Sequence, residues 1–175
     1  IVTAHQPCLF TGPPYLIYKI VSTINACRQL NQLSNEHHFV PVFWNGGEDH
    51  DFEEVNHLHL GSNRYTWFNS FKGSVNEMKT TGLKALIDKL LDQNPWLDNN
   101  NLFDLIQNIY KNEPLYYGAC FNQLIIRLFS KYGLLVVDPS KTEFKEQFRP
   151  IMLDDIFQNS SKLLVEKTQE QLAEI

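Results

Sequence analysis

The chain is 175 residues long and carries 15 Lys plus Arg, 20 Asp plus Glu and three cysteines. That length suffices for one globular domain with a buried core, and 43% apolar against 20% charged residues excludes a disordered chain. A net charge of −5 argues against a nucleic-acid binder driven by phosphate neutralisation, and no apolar run approaches the roughly 20 residues of a membrane helix.

Ile1-Val2-Thr3-Ala4 is short and β-prone and reads as a strand; His5 to Pro14, with Pro7, Gly12, Pro13 and Pro14, reads as a loop. From Tyr15 to Leu30 the apolar positions Leu16, Ile17, Ile20, Val21, Ile24, Cys27 and Leu30 recur at helical spacing, with the prolines in the first turn, where no N–H bond is lost. Phe39 to Trp44 is a continuous apolar run, the pattern of a strand buried on both faces. Strand, helix and strand predict a βαβ unit with parallel strands and a right-handed crossover. Two short strands, His57–Leu60 and Arg64–Phe68, follow around Gly61-Ser62-Asn63. Helices are expected around Leu83–Leu91, over Leu102–Tyr110 and over Leu115–Tyr132, the last stopped by Gly133. Leu134–Val137 reads as another buried strand ending at Asp138-Pro139. Lys141–Phe157 reads as a helix turning or kinking at Pro150, and Ser160–Ile175 as a polar helix with Leu163, Leu164, Leu172 and Ile175 on its apolar stripe. The domain organisation expected is a core over 1–158 and the start of a helical arm over 159–175. The first residue is not Met and the last falls inside a predicted helix, so a piece of a longer protein is expected.

Cys8, Cys27 and Cys120 are scattered and form no C-x-x-C pattern, which fits a reducing, cytoplasmic compartment, and no signal peptide opens the chain. The charge is concentrated. Between Asn31 and Asn63 stand six acids (Glu36, Glu48, Asp49, Asp51, Glu53, Glu54) and no Lys or Arg, and all six histidines precede residue 60.

In an open parallel sheet, ligands bind beyond the carboxyl ends of the strands. Parallel pairing of the first two strands brings the loop His5–Pro13 and the loop Asn45–Phe52 to one edge, so His5 and Gln6 face Glu48, Asp49, His50 and Asp51. Gly12 and Gly46-Gly47 permit close backbone approach, and the helix from Pro14, with Lys19 one turn in, offers donors to an anion. Carboxylates beside imidazole move protons, fix a tautomer or hold a divalent metal; the competing reading is an acid-rich helix N-terminus. His57 and His59 share a strand face, and an exposed edge strand is favoured there over a metal site. Cys8 reads either as a nucleophile or as a small packing residue. Trp44 roofs the site or the core, and of Tyr15 and Tyr18 one faces the ligand and the other the core.

Thr3-Ala4-His5-Gln6-Pro7-Cys8-Leu9-Phe10-Thr11-Gly12-Pro13-Pro14-Tyr15 with Tyr18-Lys19 resembles the first motif of the BshC family, the cysteine-adding ligases of bacillithiol biosynthesis. Val40–Trp44 followed by Glu48-Asp49-His50-Asp51-Phe52-Glu53-Glu54-Val55-Asn56-His57 is similar to the second, and Leu128-Phe129, Tyr132-Gly133-Leu134 and Val137-Asp138-Pro139-Ser140 to the third. Ala4 stands where the family commonly has Gly, His5 where it often has Gln, and Pro14 at a usually apolar position. The resemblance implies an α/β, Rossmann-like core, mostly parallel with flanking helices and nucleotidylyltransferase-like, and a coiled-coil arm that makes the full-length protein a homodimer. It implies a reaction that joins L-cysteine to glucosaminyl-malate through an amide. Activating a carboxylate for that step uses phosphoryl or adenylyl transfer, for which ATP with magnesium is the candidate pair, although no residue names the cofactor.

On this reading His5, Gln6, Gly12, Tyr15 and Lys19 form the anionic or phosphate side. Asp49, His50 and Asp51 position the amine, move its proton or hold a metal, and Glu48 and Asn56 orient them. The alternatives are a metal-dependent hydrolase or nucleotidylyltransferase using the same loops, and a non-catalytic ligand-binding domain.

Overall fold

The computed structural model describes residues 1–111 and 115–173. β1 (Val2–His5), α1 (Pro14–Leu33) and β2 (Val42–Asn45) make the βαβ unit that the spacing predicts. β1 and β2 are parallel, with Val2 opposite Val42 and His5 opposite Asn45. β5 (Leu135–Val137) pairs parallel on the other side of β2, giving the order β1-β2-β5. Both crossovers step the same way across the sheet, so right-handed connections lay α1 and α5 (Tyr117–Phe129) on one face.

That topology corrects the expectation of a strand buried on both faces. Phe43 is fully buried, with its ring 6.1 Å from that of Phe121 on α5. The opposite face, carrying Val2, Ala4, Trp44 and Leu135, is exposed, and Trp44 at 42% roofs neither core nor site. The strand is also shorter than its apolar run. The Asn31 side chain takes both backbone groups of Phe39, so that residue leaves the ladder.

α1 forms on a stripe of Leu16, Ile20, Thr23, Ile24 and Cys27, all buried at helical spacing. Pro14 fills its first turn and no side chain caps it. After β2, the single-turn α2 (Phe52–Val55) leads into the antiparallel hairpin of β3 (His57–Leu60) and β4 (Asn63–Thr66). The hairpin turns at Gly61-Ser62, one residue tighter than the sequence suggests, because Asn63 pairs with Leu60 and Gly61 takes φ +59°. α3 (Leu83–Gln93) and α4 (Asn101–Tyr110) flank a short 3-10 turn at Pro95–Leu97, between the two expected helices. The Asn100 side chain caps α4 by accepting from the Leu102 and Phe103 amides, 3.1 and 3.3 Å away. α5 begins later than expected and ends sooner, and a 3-10 turn over Ser130–Tyr132 follows it.

The chain divides into two compact units, Ile1–Pro139 and Ser140–Ile175. The division falls ahead of α6 (Thr142–Gln158), whereas the sequence pattern puts the boundary after that helix. α6 runs as one helix through Pro150 and stops where Asn159 adopts the left-handed conformation, φ +54°. α7 (Ser160–Ala173) starts on carboxylates of the preceding helix: the Ser161 amide donates to Asp155 at 2.9 Å and the Ser160 hydroxyl to Asp154 at 2.6 Å. Ile175, the last position of the expected apolar stripe, lies outside the described residues. No helix among the described residues is long and apolar enough to cross a membrane.

The core of the first unit gathers α1, α3, α4, α5 and the loop after β1, with Tyr110, Tyr117, Phe43 and Phe121 among its largest fully buried side chains. Among the described residues the hydroxyls of Tyr110 and Tyr117 have no hydrogen-bond partner, and burial holds both phenols well above their usual pKa. An unpaired buried hydroxyl costs about 1–3 kcal/mol of desolvation. Tyr117→Phe is therefore expected to leave unfolding free energy unchanged or raise it by about 1 kcal/mol in urea denaturation. A loss of that size would reveal a hydrogen bond.

Candidate functional site

The parallel register fixes the site. His5 and Asn45 end adjacent strands side by side, and the loops that follow them meet. Gln6 Nε2 donates to Asp49 Oδ2 in a short hydrogen bond that ties the first loop to the second. Asp49 Oδ1 accepts from its own neighbours, the His50 amide at 2.6 Å and the Asp51 amide at 3.2 Å. These bonds, with Gln6 the largest, hold the exposed Asp49 carboxyl below the usual carboxylate range. Asp49 is thus an ionised anchor between the two loops.

His5 Nδ1 lies 2.8 Å from the Gln6 carbonyl, which only accepts. In the neutral ring Nδ1 therefore carries the proton and Nε2 the lone pair. The Tyr15 ring stands edge-on to His5 at 6.3 Å. Lys19 Nζ donates to the Ala4 carbonyl at 2.6 Å and lies 5.3 Å from the Tyr15 ring centre. His5, Tyr15 and Lys19 meet in one corner at the start of α1, and Tyr15 and Tyr18 are both exposed, so neither faces the core.

The other expected residues divide. Glu48, His50 and Asp51 are exposed on the second loop. The acid-rich helix reading holds only in part: Glu53 and Glu54 occupy the first turn of α2, while Asp51 at its cap makes no capping bond. Gly12 serves the fold, since it takes φ +55° and an added Cβ would lie 2.4 Å from Cys8 Sγ. Cys8 is buried beneath it, and desolvation pushes its thiol up to about 12, so it packs and is no nucleophile. Asn56, expected to orient the acids, instead lines an open cleft of about 690 Å³ between α2 and the hairpin, with Phe52, Arg64, Thr66 and Phe68. His57 and His59 share a face with rings 5.6 Å apart. Among the described residues no three of His, Cys, Asp and Glu converge as a metal would need.

Sequence reasoning missed a polar cluster at the ends of β2 and β5. Asn45, fully buried, donates to Asn122 Oδ1 at 2.7 Å and accepts the Gly47 amide at 2.8 Å. Asn122 and Asn76 each donate to Asp138, one to each carboxylate oxygen, at 3.3 Å. Segment 74–76 templates the second loop. The Asn76 amide and the Ser74 hydroxyl donate to the Gly47 carbonyl at 2.9 and 2.6 Å, and the Val75 amide to that of Asp49 at 3.0 Å. The signal available was modest: Asn45 and Asp138 are the polar residues that close two apolar strands. Asn76 lies where no periodicity marks it.

A Rossmann-like α/β domain with its polar groups gathered on the carboxyl edge is what fold and site define. The family profile described as "Bacillithiol biosynthesis BshC, N-terminal Rossmann-like domain" matches residues 1–175, and the chain belongs to the BshC family. It is 37% identical over 170 residues to a Flavobacterium psychrophilum protein named "Putative cysteine ligase BshC", covering 95% of this chain and 32% of the relative. Proteins of the same name from Flavobacterium johnsoniae and Carboxydothermus hydrogenoformans are each 35% identical, over 99% and 83% of this chain and 33% and 28% of theirs. The chain thus spans about a third of the length of these relatives.

Two outcomes are expected. Gln6→Ala should raise the Asp49 pKa towards its ordinary value of roughly 3.9, read by carboxyl-carbon NMR titration. Because that pKa is depressed by the fold, the stability it confers is present above the ordinary value and lost as pH falls through the depressed one. All three cysteines are buried and free, so a thiol reagent should label none of them until the domain unfolds.

Proposed function

We propose that this chain is the nucleotide-fold part of a ligase that joins L-cysteine to glucosaminyl-malate through an amide, the last step of bacillithiol formation. Kinship with proteins named as cysteine ligases supports the reading. The observation that carries it is the Gln6–Asp49 bond, which draws the two most family-like loops into one site.

The roles follow from the chemistry of the groups. A substrate amine is cationic in water and must lose a proton before it attacks an acyl carbon. The ionised Asp49 attracts and orients the ammonium, and His50, whose backbone amide is fixed on Asp49, is the group to take its proton. Glu48 and Asp51 add negative potential on the same loop. Across the edge, Lys19 and the first turn of α1 supply the donors and positive charge that phosphate oxygens need, with the His5 Nε2 lone pair beside them as an acceptor. Lys19 and the first turn of α1 would hold the phosphates of ATP with magnesium, which would supply the activation that makes the carboxylate an acyl donor. Cytoplasmic location and dimerisation through a coiled-coil arm that begins in the C-terminal helices belong to the same proposal.

The test uses the full-length protein with cysteine, glucosaminyl-malate, ATP and magnesium, and follows product by mass. Product is expected in wild type. His50→Ala and Asp49→Asn should each lower turnover at least about 100-fold without loss of fold. No product under conditions where a characterised relative works would end the ligase reading; normal turnover by both variants would move the site elsewhere.

A further inference from the structure

The unused feature of the edge is Asp138. It follows β5 directly, in register with Asn45 on β2, so it stands two strands from His5, about 10 Å at ordinary strand spacing. Its two carboxylate oxygens are gripped separately, Oδ1 by Asn76 and Oδ2 by Asn122, which fixes the plane of the group. Such a grip is more than strand termination needs. Asn76 is itself 6% exposed, and among the described residues its Oδ1 has no hydrogen-bond partner. A buried, unpaired amide oxygen is a standing cost that a purely structural asparagine would be expected to avoid.

The fold makes room for this side chain at two places. An added Cβ on Gly47 would lie 1.9 Å from Asn76 Oδ1, and one on Gly118 would lie 2.2 Å from it. Asn76 therefore sits between the loop after β2 and the start of α5. Through its backbone it holds Gly47, through its neighbour Val75 it holds Asp49, and through its side chain it holds Asp138. One residue puts both acids in a single frame. Carboxylates on either side of a glycine pair suit a small cationic group that donates several hydrogen bonds, which describes a primary ammonium.

We propose that Asp138 is a second ammonium-binding residue of the site, facing the substrate amine from the β5 side of Gly46-Gly47, and that Asn76 and Asn122 are its positioning residues. This rests on the amide-forming reading above. The test measures binding rather than turnover. Full-length wild type and variants are titrated by calorimetry with glucosaminyl-malate and with glucosyl-malate, which carries a hydroxyl in place of the amine. Wild type should prefer glucosaminyl-malate at least tenfold. Asp138→Asn, which keeps size and fold, should erase the preference, and Asn122→Ala should reduce it. Asn76→Ala should also reduce it, with Asn122→Ala carrying the test if the Asn76 variant fails to fold. Wild type without a preference, or Asp138→Asn with the preference intact, would overturn the proposal, as would an equal loss of both ligands. If Asp138-dependent preference persists while the mass assay finds no ligation product, the ligase reading fails and the ammonium site stands.

Discussion

The carboxyl edge depends on a packing constraint: one amide side chain occupies the space that two missing β-carbons leave. Asn76 can lie against Gly47 and Gly118 only because neither has a side chain, and an added methyl at either position would collide with its oxygen. The loop carrying Asp49 has little hydrophobic anchorage of its own, since Glu48 through Asp51 are all exposed. What fixes it is the 74–76 segment on one side and the Gln6 bond on the other. Exposed acids on an unanchored loop would sample many positions, and the entropy of ordering them would fall on the ligand. Here the fold bears that cost beforehand.

Burial sorts the reactive groups of this domain. Cys8, Cys120 and the two deepest phenols sit where desolvation silences them, while the imidazole and carboxylates of the edge remain in contact with water. Asp49 is held ionised by amide donors rather than by a paired cation, so its charge stays available to attract another. Lys19 is similarly half-engaged: a carbonyl and an aromatic ring orient its ammonium without neutralising it.

Much of this was legible because local pattern and topology agreed. Pro13 and Pro14 before a 3.6-residue apolar stripe, between two β-prone runs, leave little but a βαβ unit, and parallel strands then oblige His5 and Asn45 to end on one edge. Where the reading erred, tertiary context had overridden a local signal. The run from Phe39 to Trp44 is apolar on alternate sides, but this chain lays both helices on one face, so Trp44 and Leu135 stay wet. Gly12, expected to permit close ligand approach, has a second duty as a turn residue fitted over a thiol. Asn76 was illegible for a physical reason: a residue in a 3-10 turn, contacting groups distant in sequence, writes no period into its neighbourhood.

The exposed indole of Trp44 has an optical consequence. Trp67 is sealed in the core, its ring 4.9 Å from that of Tyr117 and its Nε1 donating to the Thr81 carbonyl at 2.9 Å, so its surroundings change little while the fold persists. Trp96 lies 63% exposed on a short surface turn, away from the sheet. Trp44 alone is covalently next to Asn45, at the strand end that the polar cluster grips. Its emission therefore reads two local events at once, the covering of the bare sheet face and the ordering of the carboxyl edge, and makes the chain its own fluorescent gauge of both.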